Sequence, residues 1–526
     1  MPDACSHPPY RIAILGVYVL LLAAGFDSAA SRLHAQPAQV RQAAELPPAL
    51  ARIVDSSRQT PPEFHAYALL VLVESGRIEN KASARKLLRE AFEAAQTVTQ
   101  KIGRLPALNI GPTTDSDVGV FLFKRNFALD RTSLEARAIA DAERLDPAMA
   151  RTMFGEANWS DSEPAACRDA MVDDPENYYT LLTALARNKA ANRKQDKDRS
   201  ELLLEAGIER VHTHYDAELA LRTINQSALP ASQYEETIHL YIDRLVRLRG
   251  DERGFAERLP QLQNQGSGGW TGNLKTVLGR ADPADAQTLL RTFRDYLVEN
   301  LRAGVCGESW AHRKDALGKP LVPRGIESFN QQLAAELVRN GVKPIAPEEI
   351  ASDAPEVKAE MHAYGQSQEA RDLTQAAEQL RVNASGEPRT LEERNSAAWA
   401  EQFTRFLGRV DDWAADPFRS EDELWMKMKF YTGSIYLAPT SDERWMAMER
   451  AVAMLENSNL ETEDPALEMV LASLLHLLAI AQENGNGLEK RSGDALNRRL
   501  AASRSPSLRL LGLMEAEKLK ALHDSL

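Results

Sequence analysis

Three cysteines are spread through 526 residues, and no two of them form a Cys-x-x-Cys pair. Thioredoxin-like redox chemistry therefore has no support. The helix-borne zinc-protease pattern HExxH is missing, as is the GxSxG elbow of serine hydrolases. No glycine is followed directly by Lys-Ser or Lys-Thr, which excludes a Walker phosphate loop. Aromatic residues are sparse at 6%, and beyond residue 26 no stretch is long and apolar enough to span a bilayer. Positive charge is in deficit: 63 Lys and Arg face 76 Asp and Glu, a net charge of −13. A chain this acidic is poorly suited to nucleic acid or to an anionic membrane surface.

The first residues hold the strongest local signal. Arg11 precedes fifteen apolar residues, Ile12 to Phe26. A spanning helix needs roughly 20, so the run suits the hydrophobic region of a signal peptide. Small residues follow in DSAASRLHAQ, which predicts cleavage after Ala35, with Ala30 as the alternative. Asp3, Arg11, Asp27 and Arg32 cancel, so cleavage leaves the net charge unchanged. The expected mature chain is exported, periplasmic or secreted, with no stable membrane insertion. Cys5 leaves with the signal, and Cys167 and Cys306 then face an oxidising compartment. They form either a bridge or two buried thiols. A bridge needs Cα atoms within about 7 Å, and in an extended repeat array residues about 140 apart lie much farther away.

Alanine, leucine, glutamate and arginine are abundant, which favours helices. In TPPEFHAYALLVLVES, Thr60 is a possible N-cap, Pro61 suits the first helical position and Glu63 sits three residues on. KASARKLLREAFEAAQTV places Leu87, Leu88, Ala91, Phe92, Ala95 and Val98 on one helical face. Only GRIENK separates the two, so they form a helical hairpin. Farther on, Trp399, Phe403, Phe406, Val410 and Trp413 trace a stripe, and Trp445, Met448, Val452 and Leu455 trace another. Glu468 to Gln482 is apolar nearly all round, and Ser505 with Pro506 opens a last helix.

A join recurs. Asp146, Asp216, Asp282 and, more loosely, Asp464 each precede an apolar helix, and the first three have an alanine four residues later. Aspartate caps the first turn, and alanine lets a neighbouring helix approach. The first three aspartates are 70 and 66 residues apart, near twice the roughly 34 of a tetratricopeptide unit. That unit's own Trp, Tyr and Pro pattern is not matched. The prediction is an all-α, irregular helix-hairpin solenoid of TPR/HEAT-like type with two lobes. Residues 1–35 are the signal and 36–59 a flexible lead. Helical segments 60–302 and 351–526 flank a Gly/Pro-rich connector, 303–350. In VHTHYDAELALRTI, His212 and His214 are expected to close one helix and Asp216 to cap the next. Two residues apart on a helix, the imidazoles point about 200° apart and cannot share a metal ion.

Other candidates have two readings each. Gly266, Gly268, Gly269 and Gly272 form either a phosphate loop or, as preferred, a flexible inter-helix loop. Asp115, Asp117 and Gly119 lack the rest of a calcium loop. Cys306 with His312 is either a thiol nucleophile or an accident of sequence. Asp411 and Asp412 beside Trp413 form either a sugar-binding corner or a solvated helix end. The basic run 187–199 either meets an anionic partner or is a solvated loop. Sequons at Asn158, Asn225 and Asn383 matter only in a eukaryotic secretory pathway, and the Ala/Arg-rich composition points to bacteria. No catalytic, cofactor-binding or metal-ligating residue is assigned.

The segments LLVLVESGRIENKASARKLLREAFEAA and RTSLEARAIADAERLDPAMARTMF, with IESFNQQLA more weakly, resemble bacterial exported helical proteins of unknown function. The resemblance covers about the first half of the chain. It implies a helical solenoid and brings no activity. The expected function is binding or scaffolding of a protein or peptide partner, without cofactor. The alternative is an all-helical, toroid-like enzyme acting on glycans or peptidoglycan, whose acids would converge in an aromatic-lined pocket.

Overall fold

The structure is a computed structural model. It describes residues 46–99, 128–157, 159, 175–187, 203–227, 229–248, 255, 259–263, 269–303, 314, 318, 321–351, 368–413, 420–458 and 490–519. All of these lie within one compact unit, Ala43–Leu526. Among the described residues there are twenty α-helices, one 3-10 helix and no strand, with one isolated bridge between Val382 and Pro388. The chain is all-α, as the composition predicts.

The first helices are α1 (Pro48–Ser57), α2 (Pro62–Glu74), α3 (Lys81–Ala95), α4 (Arg131–Leu145), α5 (Pro147–Glu156) and α6 (Pro175–Arg187). A helical segment at 203–209 leads to α7 (His214–Gln226) and α8 (Ala231–Arg247). The 3-10 helix Leu259–Gln263 precedes α9 (Trp270–Arg280) and the long α10 (Pro283–Ala303). Three short helices follow: α11 (Arg324–Gln332), α12 (Ala334–Arg339) and α13 (Pro347–Ile350). The remainder are α14 (Gln368–Arg381), α15 (Leu391–Arg394), α16 (Ala397–Asp412), α17 (Ser420–Leu437), α18 (Ser441–Asn457), α19 (Lys490–Ala501) and α20 (Pro506–Ala516).

Local chemistry sets most of the starts. Asn80 accepts from the N–H groups of Ala82 and Ser83, and Asp146 from those of Ala148 and Met149. Asp282 accepts from Ala284 and Asp285. Ser396, Thr440 and Ser505 cap α16, α18 and α20. Ala150, Ala220 and Ala286, four residues after the join aspartates, are all buried. Asp464 and the run Glu468 to Gln482 lie outside the described residues. The start of α2 differs from the sequence reading. The helix begins at Pro62, not Pro61, and Thr60 does not cap it; its hydroxyl donates to the Ser57 carbonyl. The ring of Pro62 disfavours helical backbone at the residue before it, so Pro61 stays extended and takes the N-cap place.

α2 and α3 pack together as the short GRIENK linker requires. All six predicted face residues are buried, five of them in α3 and Val98 just beyond it, and α2 buries every side chain from Ala66 to Leu72. Two hydrophobic clusters organise the rest. The first combines Leu50 to Met153 with Ala370 to Leu519, and the second runs from Tyr178 to Ile350. α6 serves both: Leu181 lies in the first cluster, Tyr179 and Leu182 in the second. α11 to α13, within the stretch expected as a connector, place Ile326, Phe329, Leu337 and Ile350 in the second cluster. α1 packs on α20. α19 and α20 approach so closely that a Cβ on Gly512 would lie 2.3 Å from the Ala501 nitrogen.

Candidate functional site

The join that carries the histidines is built differently from its sequence reading. Thr213, not Asp216, is the N-cap of α7, and its side chain accepts from the Asp216 N–H. Asp216 is the third helical residue and accepts from the Thr213 N–H in return, at 3.1 Å. The two form a capping box, which satisfies two of the first-turn donors. His214 therefore opens α7 instead of closing the helix before it, and His212 lies in the join. His214 is 1% exposed, with Nδ1 2.6 Å from the Tyr296 hydroxyl and its ring against Phe255. Burial pushes its pKa down to about 3, so the ring is neutral in the fold. Among the described residues no group of three His, Cys, Asp or Glu side chains is placed to hold a metal ion.

Asp411 and Trp413 do not form a sugar-binding corner. Trp413 is buried, edge-on to Phe430. Asp411 accepts from the Tyr431 hydroxyl at 2.5 Å and from Arg450. Burial and the Asp411 carboxylate hold the Tyr431 phenol well above its usual pKa. The cluster joins α16, α17 and α18. Gly269 sits at the N-cap of α9 and Gly272 inside it, so the expected inter-helix loop is helical from Trp270 onward. Gly266, Gly268, Asp115, Asp117, Gly119, Cys167, Cys306, His312, Asn158 and residues 188–199 lie outside the described residues.

Two groupings that the sequence reading missed bring reactive side chains together. The first sits where α1, α2 and α3 meet. Ser57 Oγ lies 2.8 Å from His65 Nδ1, and His65 Nε2 lies 3.4 Å from Glu90 Oε1. Arg58 forks onto the Glu90 carboxylate at 2.8 and 3.2 Å. This is the connectivity of a serine, histidine and acid triad, but three features remove the nucleophile reading. Ser57 is 0% exposed, and its hydroxyl also donates to the Val54 carbonyl at 2.8 Å. The ring atoms are exchanged: a catalytic serine meets Nε2 and its acid meets Nδ1. Ser57 also ends α1, the negative pole of a helix, where a developing oxyanion would be repelled. Burial lowers the His65 pKa, with Glu90 opposing it. The grouping is a latch across three helices.

The second grouping lies between α2 and α4. Arg137 forks onto the Glu74 carboxylate at 2.5 Å on both arms and stacks on the Tyr67 ring, 5.2 Å from its centroid. Burial works against the guanidinium, yet the hydrogen bonds and charge of Glu74 hold its pKa above the usual value. Asp141, one turn along α4, is 4% exposed and accepts from Arg144. Burial and the Glu74 charge push its carboxyl up to about 6, against Arg144 and Arg137. A carboxyl whose pKa is pushed up beside a second carboxylate is a feature that acid–base chemistry uses. No short motif marks either grouping. Ser57 and Glu90 are 33 positions apart, Glu74 and Asp141 67, and only helix packing brings each pair together.

Protein-family models give no match to this chain, and neither do curated proteins.

Proposed function

We propose that this chain is an exported, non-enzymatic binding or scaffold protein that presents an irregular helix-hairpin solenoid surface, in two lobes, to a protein or peptide partner. The observation that carries this reading is the use made of the charged side chains. Arg58–Glu90, Arg77–Glu517, Arg89–Glu156, Arg137–Glu74, Arg450–Asp411 and Arg499–Glu456 each link different helices or the turns that flank them. Charged groups capable of chemistry are engaged in holding helices in register, and stacked helix pairs leave extended surfaces for partners. Export is supported by Arg11 and the apolar run Ile12 to Phe26. Among the described residues no helix is long and apolar enough to cross a membrane.

The test is capture of a partner from envelope extract by the mature protein, with identification of the captured chain. Substitutions of exposed residues should abolish capture while the helical circular dichroism stays intact. N-terminal sequencing should find Gln36 or Ser31 first; retention of Met1 would remove the export part. A second reading, an all-helical enzyme acting on glycans or peptidoglycan, is favoured by one observation only, the Glu74 and Asp141 pair. Glycan turnover lost in both Glu74→Gln and Asp141→Asn, with both variants folded, would replace the scaffold reading.

A further inference from the structure

The α2–α4 contact contains a buried carboxylate that is only half satisfied. Asp141 Oδ1 accepts from Arg144, a residue that is itself 69% exposed. Oδ2 is buried, and among the described residues no donor reaches it. The neighbouring Arg137, which would be its natural second partner, is spent on both oxygens of Glu74. Two carboxylates therefore share one inward guanidinium, and the second guanidinium stands mostly in water.

The charged groups facing Asp141 are few. α2 contributes Glu74, and α4 itself contributes Arg137 and Arg144. The other helices packed on α4 direct their charges elsewhere: Arg85 of α3 meets Asp146, Arg89 of α3 meets Glu156 of α5, and Glu176 of α6 meets Arg222. Among the described residues no outside cation is positioned to relieve the crowding. Leaving a buried charge with an empty acceptor is costly, and a proton removes the charge.

We propose that Asp141 is a proton-operated clasp between α2 and α4, closed when its carboxylate takes up a proton and loosened when that proton leaves. The raised carboxyl pKa of about 6 is consistent with this geometry. In the unfolded chain the same group titrates near about 3.9. The folded state thus holds the proton more tightly, and stability rises as pH falls from about 6 to about 4. Above that window the clasp is charged and its contribution is gone. An exported protein meets external pH directly, so the α2–α4 contact would tighten in a mildly acidic medium and relax in a neutral one.

The test uses the full mature chain. Thermal unfolding of wild type and Asp141→Asn is followed from pH 4 to pH 8. The asparagine variant mimics the closed state, so it should melt about 2 °C above wild type at pH 8, with the gap narrowing through pH 5 and closing near pH 4. Titration of groups common to both proteins cancels in the difference. A difference that does not change with pH overturns the proposal. Arg144→Gln guards against a variant that fails to fold, since Arg144 is largely exposed. It should shift the wild-type pH transition upward by about one unit; an unmoved transition also overturns the proposal. Amide exchange in 62–74 and 131–145, corrected for intrinsic rates, should be slower at pH 5.5 than at pH 8 in wild type.

Discussion

The guanidinium of Arg77 donates to the Glu517 carbonyl at 2.8 Å and to its carboxylate at 2.7 Å, joining residues 440 positions apart. Arg509 likewise donates to Gln59, and α1 packs on α20. The last described helix is thus part of the first cluster, in the same core as the first helix. The ion pair itself is 41% and 31% exposed, so Arg77→Ala should cost under about 1 kcal/mol. Removing 506–526 is a different matter. Leu508, Leu510, Leu511 and Met514 are fully buried, and burial of each contributes about 1.5–3 kcal/mol. The truncated chain should lose its cooperative melt, while Arg77→Ala should move the melting temperature by about 1 °C or less.

Gly512→Ala should destabilise the chain even though alanine is the better helix former. The propensity gain is about 1 kcal/mol. Against it, the new methyl meets backbone: Ala501 N at 2.3 Å and Leu500 C at 2.7 Å. Overpacking of this kind costs about 1–3 kcal/mol, and two helix backbones must part to accommodate it. Denaturant unfolding should show a lower midpoint for the variant. A raised midpoint would show that α19 and α20 do not approach this closely.

His214 gives a pH dependence of the opposite sign to Asp141. Its folded pKa, about 3, lies below the unfolded value of about 6.5. The unfolded state therefore binds the proton more readily, and stability falls as pH drops from about 6.5 toward 3, by up to about 1.4 kcal/mol per pH unit. His214→Gln should lose about 1–2 kcal/mol at neutral pH, through its poorer contact with Tyr296. Its acid sensitivity should be weaker than that of wild type. Melting curves of both proteins between pH 4 and pH 7.5 measure this directly.

Ser57→Ala tests the latch. Loss of the hydroxyl leaves His65 Nδ1 facing apolar surroundings, a cost of about 1–2 kcal/mol. The melting temperature should drop while any partner capture survives. A serine-directed phosphonate probe should leave Ser57 unmodified in the folded chain. Labelling at Ser57 would mean that the site opens and that the nucleophile reading must return.

The all-α class, the α2–α3 hairpin, the α16 stripe and the caps at Asp146 and Ser505 were all legible in order along the chain. Each depends on residues within a few turns of one another: an apolar period near 3.6, a side-chain oxygen beside free N–H groups, a short polar linker. The histidine join marks the edge of that legibility. Aspartate is a good cap and Asp216 precedes the apolar run, but Thr213 sits three residues earlier and the reciprocal box satisfies one more donor. Which charges would meet was beyond local reading. Ser57, His65 and Glu90 come from three helices, and Glu74 and Asp141 from two, at separations that carry no periodic signal. Only packing decides that Asp141 is buried with one empty oxygen while Asp411, equally acidic in sequence, is met by Tyr431 and Arg450. Local hydrogen bonding and periodicity act within a turn or two, whereas burial and charge pairing depend on neighbours that the fold alone supplies.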